Sequence, residues 1–248
     1  MKLEEKLKDK YLYSSSYNLP KILYFFFQFL KFKFKPRKLN SNWGVDLIVK
    51  DIFKNKKNGI YIDVGCHHPL INNNTNLLNL IGWKGINIDL DFNSIDMFNY
   101  FRPKDYNIKI ALSNKKGFSN LYFFHNRAAK NTISKLRGRG AKTIKKIQVD
   151  TLNNVIKNCK FKINTIDLLS IDVEGNELNV LKGLNFIKYK PKIVILEFIR
   201  PTIKEFYHND IKDITKSNIY KFMINKNYKL INWVHDGLIF ISKKINKV

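Results

Sequence analysis

Between residues 59 and 198 short apolar runs alternate with helix-forming stretches, and this rhythm restricts the chain to a parallel sheet covered on both faces. Ile60–Val64 is an apolar run with a glycine on either side. GINIDL (85–90), NIKIALS (107–113), IDLLSIDV (166–173) and KIVILEF (192–198) are further runs of strand length. Helix signals fall between them. Asn72–Thr75 offer capping side chains to a helix carrying Leu77, Leu78, Leu80 and Ile81, which Gly82 ends. Phe92–Phe101 and Thr151–Asn158 read as helices, and Leu178, Leu181 and Leu184 place another before a last one over Ile211–Asn225. Leu121–Phe124 reads as a short extra strand. The chain closes on YKLINWV and LIFIS, joined through His235-Asp236-Gly237, a hairpin signal. Residues 1–58 are expected to form a helical, basic and aromatic appendage, and residues 59–248 the domain.

In an open parallel sheet, ligands sit at the carboxyl ends of the strands. The first run ends there in YIDVGCHHPL (61–70). A dinucleotide site requires several glycines for backbone to reach pyrophosphate, but only Gly65 is present, and Asp63 repels an anion. No phosphate-binding G-x-x-x-x-G-K-[ST] loop occurs. A cationic, adenosine-bearing ligand such as S-adenosyl-L-methionine suits the turn better. Asp63 can face its charged half, Gly65 admits the backbone, and Asp89, 26 residues on, can accept from both ribose hydroxyls. Ile110 or Ala111, after the third strand, can flank the adenine.

These stretches resemble the FkbM family of S-adenosylmethionine-dependent methyltransferases. The resemblance rests on YIDVGCHHP (61–69), NNT (73–75), GWKGINID (82–89), RPKD (102–105), IALS (110–113), LLSIDVEGNELNVLKG (168–183) and PKIVILEF (191–198). IDVEG, followed by E and VL, is the most specific piece. The resemblance implies the class I methyltransferase (Rossmann-like) fold, a seven-stranded, mostly parallel sheet with helices on both faces and a C-terminal antiparallel hairpin. It also implies O-methylation, commonly of sugars or polyketide-type natural products. The family usually carries Glu where Asp89 stands.

A sugar hydroxyl is a poor nucleophile near neutral pH and needs a general base or a metal. Asp172 is the first candidate for contact with the methyl donor or acceptor, and Glu174 for base or hydroxyl ligand. Glu177 competes between a site role and stabilising a helix N-terminus. Glu197 ends the next strand on the same rim and competes between catalysis and an ion pair with Lys192 or Arg200. A divalent metal such as Mg²⁺, held by Asp172 and Glu174, suits hard oxygen ligands. His67 and His68 are adjacent, so one is expected to line the pocket (His67 the candidate for cofactor contact) and the other to be structural. Asn74 and Thr75 are read as helix caps, Cys66 as a packed residue, and His235 as a weaker base candidate. Arg102 either clamps an acceptor or anchors a loop.

The formal net charge is +25, from 39 Lys and 6 Arg against 20 acids. Such charge fits a polyanion partner, but a biased base composition, in a chain rich in Lys, Asn and Ile, is the preferred reading. Arg, the residue suited to bidentate phosphate and base contacts, is scarce. An N/D-P-P-Y motif, used by amino-directed nucleic-acid enzymes, is also missing, with IDVEG in its place. A nucleic-acid methyltransferase and a non-catalytic, membrane-associated module remain the alternative readings. Residues 20–38, aromatic and lysine-flanked, are expected to touch an anionic membrane surface or to pack on the core or a second subunit. Residues 126–147 hold eight bases and no acid, and are expected to form a mobile loop or an anion-binding lid. No 18-residue apolar run and no signal-peptide layout is visible, and two cysteines exclude a disulfide framework. The expected location is cytoplasmic, with peripheral contact at the inner membrane face.

Overall fold

The computed structural model describes residues 19–34, 40–41, 44–54, 56–124, 131–198 and 211–244. In chain order the elements are α1 (Leu19–Phe34), α2 (Val45–Phe53), β1 (Ile60–Val64), α3 (Asn76–Leu80), β2 (Lys84–Asp89), α4 (Phe92–Phe101), β3 (Tyr106–Lys109), β4 (Ala111–Leu112) and β5 (Gly117–Phe123). They continue as β6 (Thr143–Asp150), α5 (Leu152–Lys157), β7 (Leu168–Ile171), α6 (Glu177–Lys182), β8 (Ile193–Glu197), α7 (Ile211–Lys216), α8 (Asn218–Asn225), β9 (Tyr228–Val234) and β10 (Gly237–Ser242).

Seven strands form the main sheet in the order β3-β2-β1-β7-β8-β10-β9, and β10 alone runs opposite to the other six. The chain builds outward from β1 to β3, then restarts with β7 on the other side of β1. That reversal opens a crevice at the carboxyl ends of β1 and β7. Both faces are covered, because successive strand residues point to opposite sides. Val194 and Leu196 of β8 join Leu152, Val155, Val180, Leu181, Ile214 and Met223 from α5 to α8. Ile193 and Ile195 join Val45, Val49 and Phe53 of α2, Leu78 of α3 and Trp83. Helix α2 thus packs into the core, although it lies inside the segment 1–58 expected to be an appendage. Among the described residues no helix is long and apolar enough to cross a membrane.

Three sequence expectations change. NIKIALS is not one strand: β3 ends at Lys109, Ile110 donates its N–H to the Asp89 carbonyl at 3.0 Å, and β4 joins a second sheet of order β4-β6-β5. Residues 143–147 of the expected basic loop belong to β6, which pairs antiparallel with β5 from Gly117–Val149 to Phe123–Thr143. That strand was hidden because only Val149 in it is buried, so pairing rather than burial holds it. Arg127 and Lys130 lie outside the described residues. The expected helix over Ile211–Asn225 breaks at Ser217, whose hydroxyl accepts the Tyr220 N–H and starts α8.

Candidate active site

The crevice opens into a cavity of about 410 Å³. Gly65, His67 and Asp89 line it from the ends of β1 and β2, Ile110 and Ala111 from the crossing between sheets, and Asp172 and Glu174 from the end of β7. All seven are candidates from the sequence. Leu90, Leu121, Phe123, Thr132 and Asn176 line it as well and had not been singled out.

Gly65 is required by contact. The Asp172 N–H donates to the Val64 carbonyl at 2.9 Å, which draws the ends of β1 and β7 together. A Cβ on Gly65 would stand 1.7 Å from the Asp172 carbonyl oxygen, and its φ of +79° disfavours any side chain. Three non-glycine residues of the cavity wall, His67, Asn72 and Glu174, also take left-handed φ values of 52°, 51° and 55°. Such strain persists only where the surroundings over-determine it, and it gathers at functional sites.

Asp89 accepts the His67 N–H at 2.8 Å on one oxygen and the Asp91 N–H at 2.8 Å on the other. It therefore ties the loop after β1 to the start of α4, where Asp91 accepts the Asn93 N–H as N-cap. Burial raises its pKa and these two N–H groups oppose the rise.

Asp63 corrects an expectation. Its carboxylate does not line the cavity. It is buried and accepts from Asn73 Nδ2 and Thr75 Oγ1, each at 2.9 Å. Burial raises its pKa, and the charge of Arg102 is the largest opposing influence. Arg102 is buried too and donates to Thr75 Oγ1 and Asn73 Oδ1 at 2.9 Å, and to the Pro69 carbonyl. Arg102 therefore anchors the loop 65–75 rather than clamping an acceptor. Thr75 is the N-cap residue of α3, but its side chain makes no capping bond and serves this network instead. Asn74 reaches Ser170 Oγ at 3.0 Å. Replacing Arg102 by Leu leaves Asp63 buried without its cation. The Pro69 carbonyl and the buried Asn73 and Thr75 oxygens lose their donor as well, and each such unsatisfied group costs about 1–3 kcal/mol, so the urea midpoint of the variant should fall well below that of the wild type.

Asp172 and Glu197 hydrogen-bond to each other across β7 and β8. Burial is the largest cause that pushes Asp172 up to about 7, and the bond from Glu197 holds it lower than burial alone would. Burial, then the Asp172 charge, pushes Glu197 up to about 11. Both carboxyls are raised, so the pair titrates as a unit and keeps a proton to a pH above the ordinary carboxyl range. Glu197 does not itself line the cavity, and its Oε2 is buried with no partner among the described residues. The alternative ion pair is not formed with Lys192, which binds Asp167 at 2.8 Å, and Arg200 lies outside the described residues.

The turn after β7 is held from both sides. Glu177 accepts the Val173 and Gly175 N–H groups at 3.1 and 2.9 Å, so it serves the turn rather than the cavity. Thr132 donates from Oγ1 to the Glu174 carbonyl at 2.8 Å, and Asn176 donates to the Leu112 carbonyl at 2.9 Å. Thr132 lies within the basic stretch, so the expected lid supplies wall residues through a threonine rather than a base. Nothing in the local sequence marks it. His68 accepts the Leu70 N–H at 3.1 Å through Nδ1, while His67 faces the cavity. His235 sits in the β9–β10 turn against Asp236, 3.3 Å away, and does not line the cavity. The expectation of Mg²⁺ held by Asp172 and Glu174 finds no support: among the described residues no three His, Cys, Asp or Glu side chains are grouped to hold a metal ion. Asp172 is engaged with Glu197 instead. Cys66 is buried and Cys159 half-buried, both as free thiols.

No curated relative matches the chain. Among solved structures, methyltransferase FkbM from Methylobacillus flagellatus KT aligns at 13% identity with a TM-score of 0.42, covering 75% of this chain and 44% of its own. The chain thus spans less than half the length of that protein. The O-methyltransferase from Bacillus cereus, solved with SAH, aligns at 12% identity with a TM-score of 0.39, covering 97% and 96%. The Methyltransferase FkbM domain pattern matches residues 63–229, a stretch that contains the residues lining the cavity and the whole sheet from β2 to β8. That match takes in well over half of the chain, which therefore belongs to the FkbM family of S-adenosylmethionine-dependent methyltransferases.

Proposed function

We propose that the protein transfers the methyl group of S-adenosylmethionine to a hydroxyl of a sugar, glycan or related natural-product acceptor. The observation that carries this reading is the placement, in and beside one cavity, of a carboxylate at the end of β2 and a proton-sharing carboxyl pair at the ends of β7 and β8. The residues present fit the cofactor. A cavity of about 410 Å³ lies in the range of small-molecule sites. Gly65 has no side chain to fill the cradle between β1 and β7. Asp89 keeps lone pairs for the ribose hydroxyls beyond the two spent on His67 and Asp91, and Leu90 and Ile110 supply apolar surface for the adenine. With Asp63 turned away, the cationic half falls to Asp172 and Glu174.

S-adenosylmethionine, when bound, supplies an electrophilic methyl carbon on a sulfonium. Asp172 takes the proton of the acceptor hydroxyl at its carboxylate. Glu197 keeps its own proton and donates it in a hydrogen bond to Asp172, which fixes the orientation of the base. Glu174 faces the acceptor side of the wall. Nucleic acid is not the acceptor in this reading, since a hydroxyl-directed carboxyl pair stands where amino-directed enzymes carry their N/D-P-P-Y motif.

Calorimetric titration with S-adenosylhomocysteine tests the donor half. Binding is expected, and Asp89→Ala should weaken it roughly 10- to 100-fold, the loss of hydrogen bonds to a charged group. Transfer of a labelled methyl group to a panel of glycans tests the acceptor half. Absence of any heat at millimolar ligand sinks the reading.

A further inference from the structure

Helix α1 carries aromatic residues on both of its faces, and its buried face also holds a lysine and a glutamine. Lys21, Tyr24, Phe25 and Gln28 form one helical face and are buried against the body of the protein. Lys21 is 0% exposed, ion-paired with Asp96 of α4 and seated over the Phe92 ring. Phe25 packs against Tyr100 and Phe101. On the opposite face Leu23, Phe26 and Phe27 are 56%, 51% and 54% exposed, with Ile22 and Phe29 beside them. A surface helix in water turns a polar face outward, because exposed rings forgo the free energy that burial returns. Contiguous apolar surface of this kind marks a place where lipid or protein docks.

Charge separates the two. Lys31 and Lys33 stand exposed at the C-terminal end of α1. From residue 10 to residue 45 the sequence holds no Asp or Glu, and the chain as a whole carries +25. A second copy would bring the same positive charge to the contact and repel it. Anionic headgroups would neutralise it, and each base near such a surface adds attraction. We propose that α1 docks on an anionic lipid bilayer, with Leu23, Phe26 and Phe27 entering the acyl boundary and Lys31 and Lys33 meeting headgroup phosphates. The pairing of Lys21 with Asp96 fixes α1 to α4, whose N-cap Asp91 lines the cavity, so docking holds the site close to the membrane surface.

Co-flotation of the full chain with vesicles tests this independently of methyl transfer. Wild-type protein should float with vesicles of phosphatidylglycerol and phosphatidylcholine, and about tenfold less with phosphatidylcholine alone. Phe26→Glu with Phe27→Glu, and separately Lys31→Glu with Lys33→Glu, should each lower flotation about tenfold, and raised salt should weaken it. A thermal shift with S-adenosylhomocysteine, retained in both variants, shows that the fold and the donor site persist. Wild-type protein left unbound by anionic vesicles overturns the proposal, and so does equal partition onto phosphatidylcholine. Variants that float like wild type overturn it too. A wild-type dimer in light scattering that the Phe variant converts to monomer, with no flotation of either, assigns the face to a second copy instead.

Discussion

Asp172→Asn is expected to slow methyl transfer by at least about 100-fold, the lower end of what a positioned general base contributes. The amide keeps the shape of the side chain and cannot take a proton. The loss in proton removal should appear in kcat, and the lost charge beside the cationic half should weaken S-adenosylhomocysteine binding no more than Asp89→Ala does, about 10- to 100-fold. The pH profile gives a second readout. Asp172 lies at about 7, so its basic form is scarce below that value and abundant above it. The rate should therefore climb as pH rises through about 7 and then level. Glu197→Gln preserves a donor toward Asp172 and should keep most of the rate above that point. The same pair links stability to pH with a definite sign. Both carboxyls are raised in the folded state, so the stabilisation from holding their protons is complete below the ordinary carboxyl range of about 4. It fades as pH rises through about 7 for Asp172 and on toward about 11 for Glu197. The thermal midpoint of wild type should fall across this window, and Glu197→Gln should flatten the fall. An unchanged rate in Asp172→Asn would remove the base from its assigned place.

Gly65→Ala carries the second large effect, on the fold and the donor site together. The added methyl would meet the Asp172 carbonyl oxygen at 1.7 Å, and the hydrogen bond between Val64 and Asp172 leaves the two strand ends no freedom to part. Gly140 supplies the control. Its φ of +82° is as left-handed, but nothing lies within 4 Å of the position a Cβ would take. Gly140→Ala should cost only the conformational penalty, about 1–2 kcal/mol. Gly65→Ala should cost more than about 3 kcal/mol, since overpacking adds to the same penalty, and should abolish detectable binding of S-adenosylhomocysteine. Thermal unfolding and titration of the two variants side by side separate backbone preference from collision. Equal midpoints would mean that the close approach of β1 and β7 relaxes at little cost.

The centre of the sheet was legible because β1, β2, β7 and β8 are buried on both sides, and continuous apolar runs such as IVILE announce that directly. The hairpin was legible from its turn. IDVEG was legible as a strand end that turns toward the cavity, because two acids followed by glycine and a helix mark a tight turn at the carboxyl end of a strand. What escaped was decided at long range. The neutralisation of Asp63 depends on Arg102, 39 residues away, and on two side chains of a loop that folds back over it. Asp172 and Glu197 are 25 residues apart and meet only because β7 and β8 pair in register. Strand β6 escaped because its lysines mask the pairing, and the departure of Ile110 from the main sheet escaped because a short apolar run has no mark for a change of partner. Helix α1, aromatic on both faces, is the opposite case. Its aromatic content was plain in the sequence, but which of its faces would be covered was not.

The cavity is walled by two separate pieces of chain. Gly65, Asp89 and Asp172 stand on the large sheet, whereas Leu121, Phe123 and Thr132 come from the small sheet and the segment between its strands. On the proposed reading every donor contact lies outside the β5–β6 pair, so a lineage, or an engineer, can redraft residues 117–124 and 131–147 while the handling of the donor is inherited untouched. Divergence in what these proteins modify should accordingly collect in that hairpin.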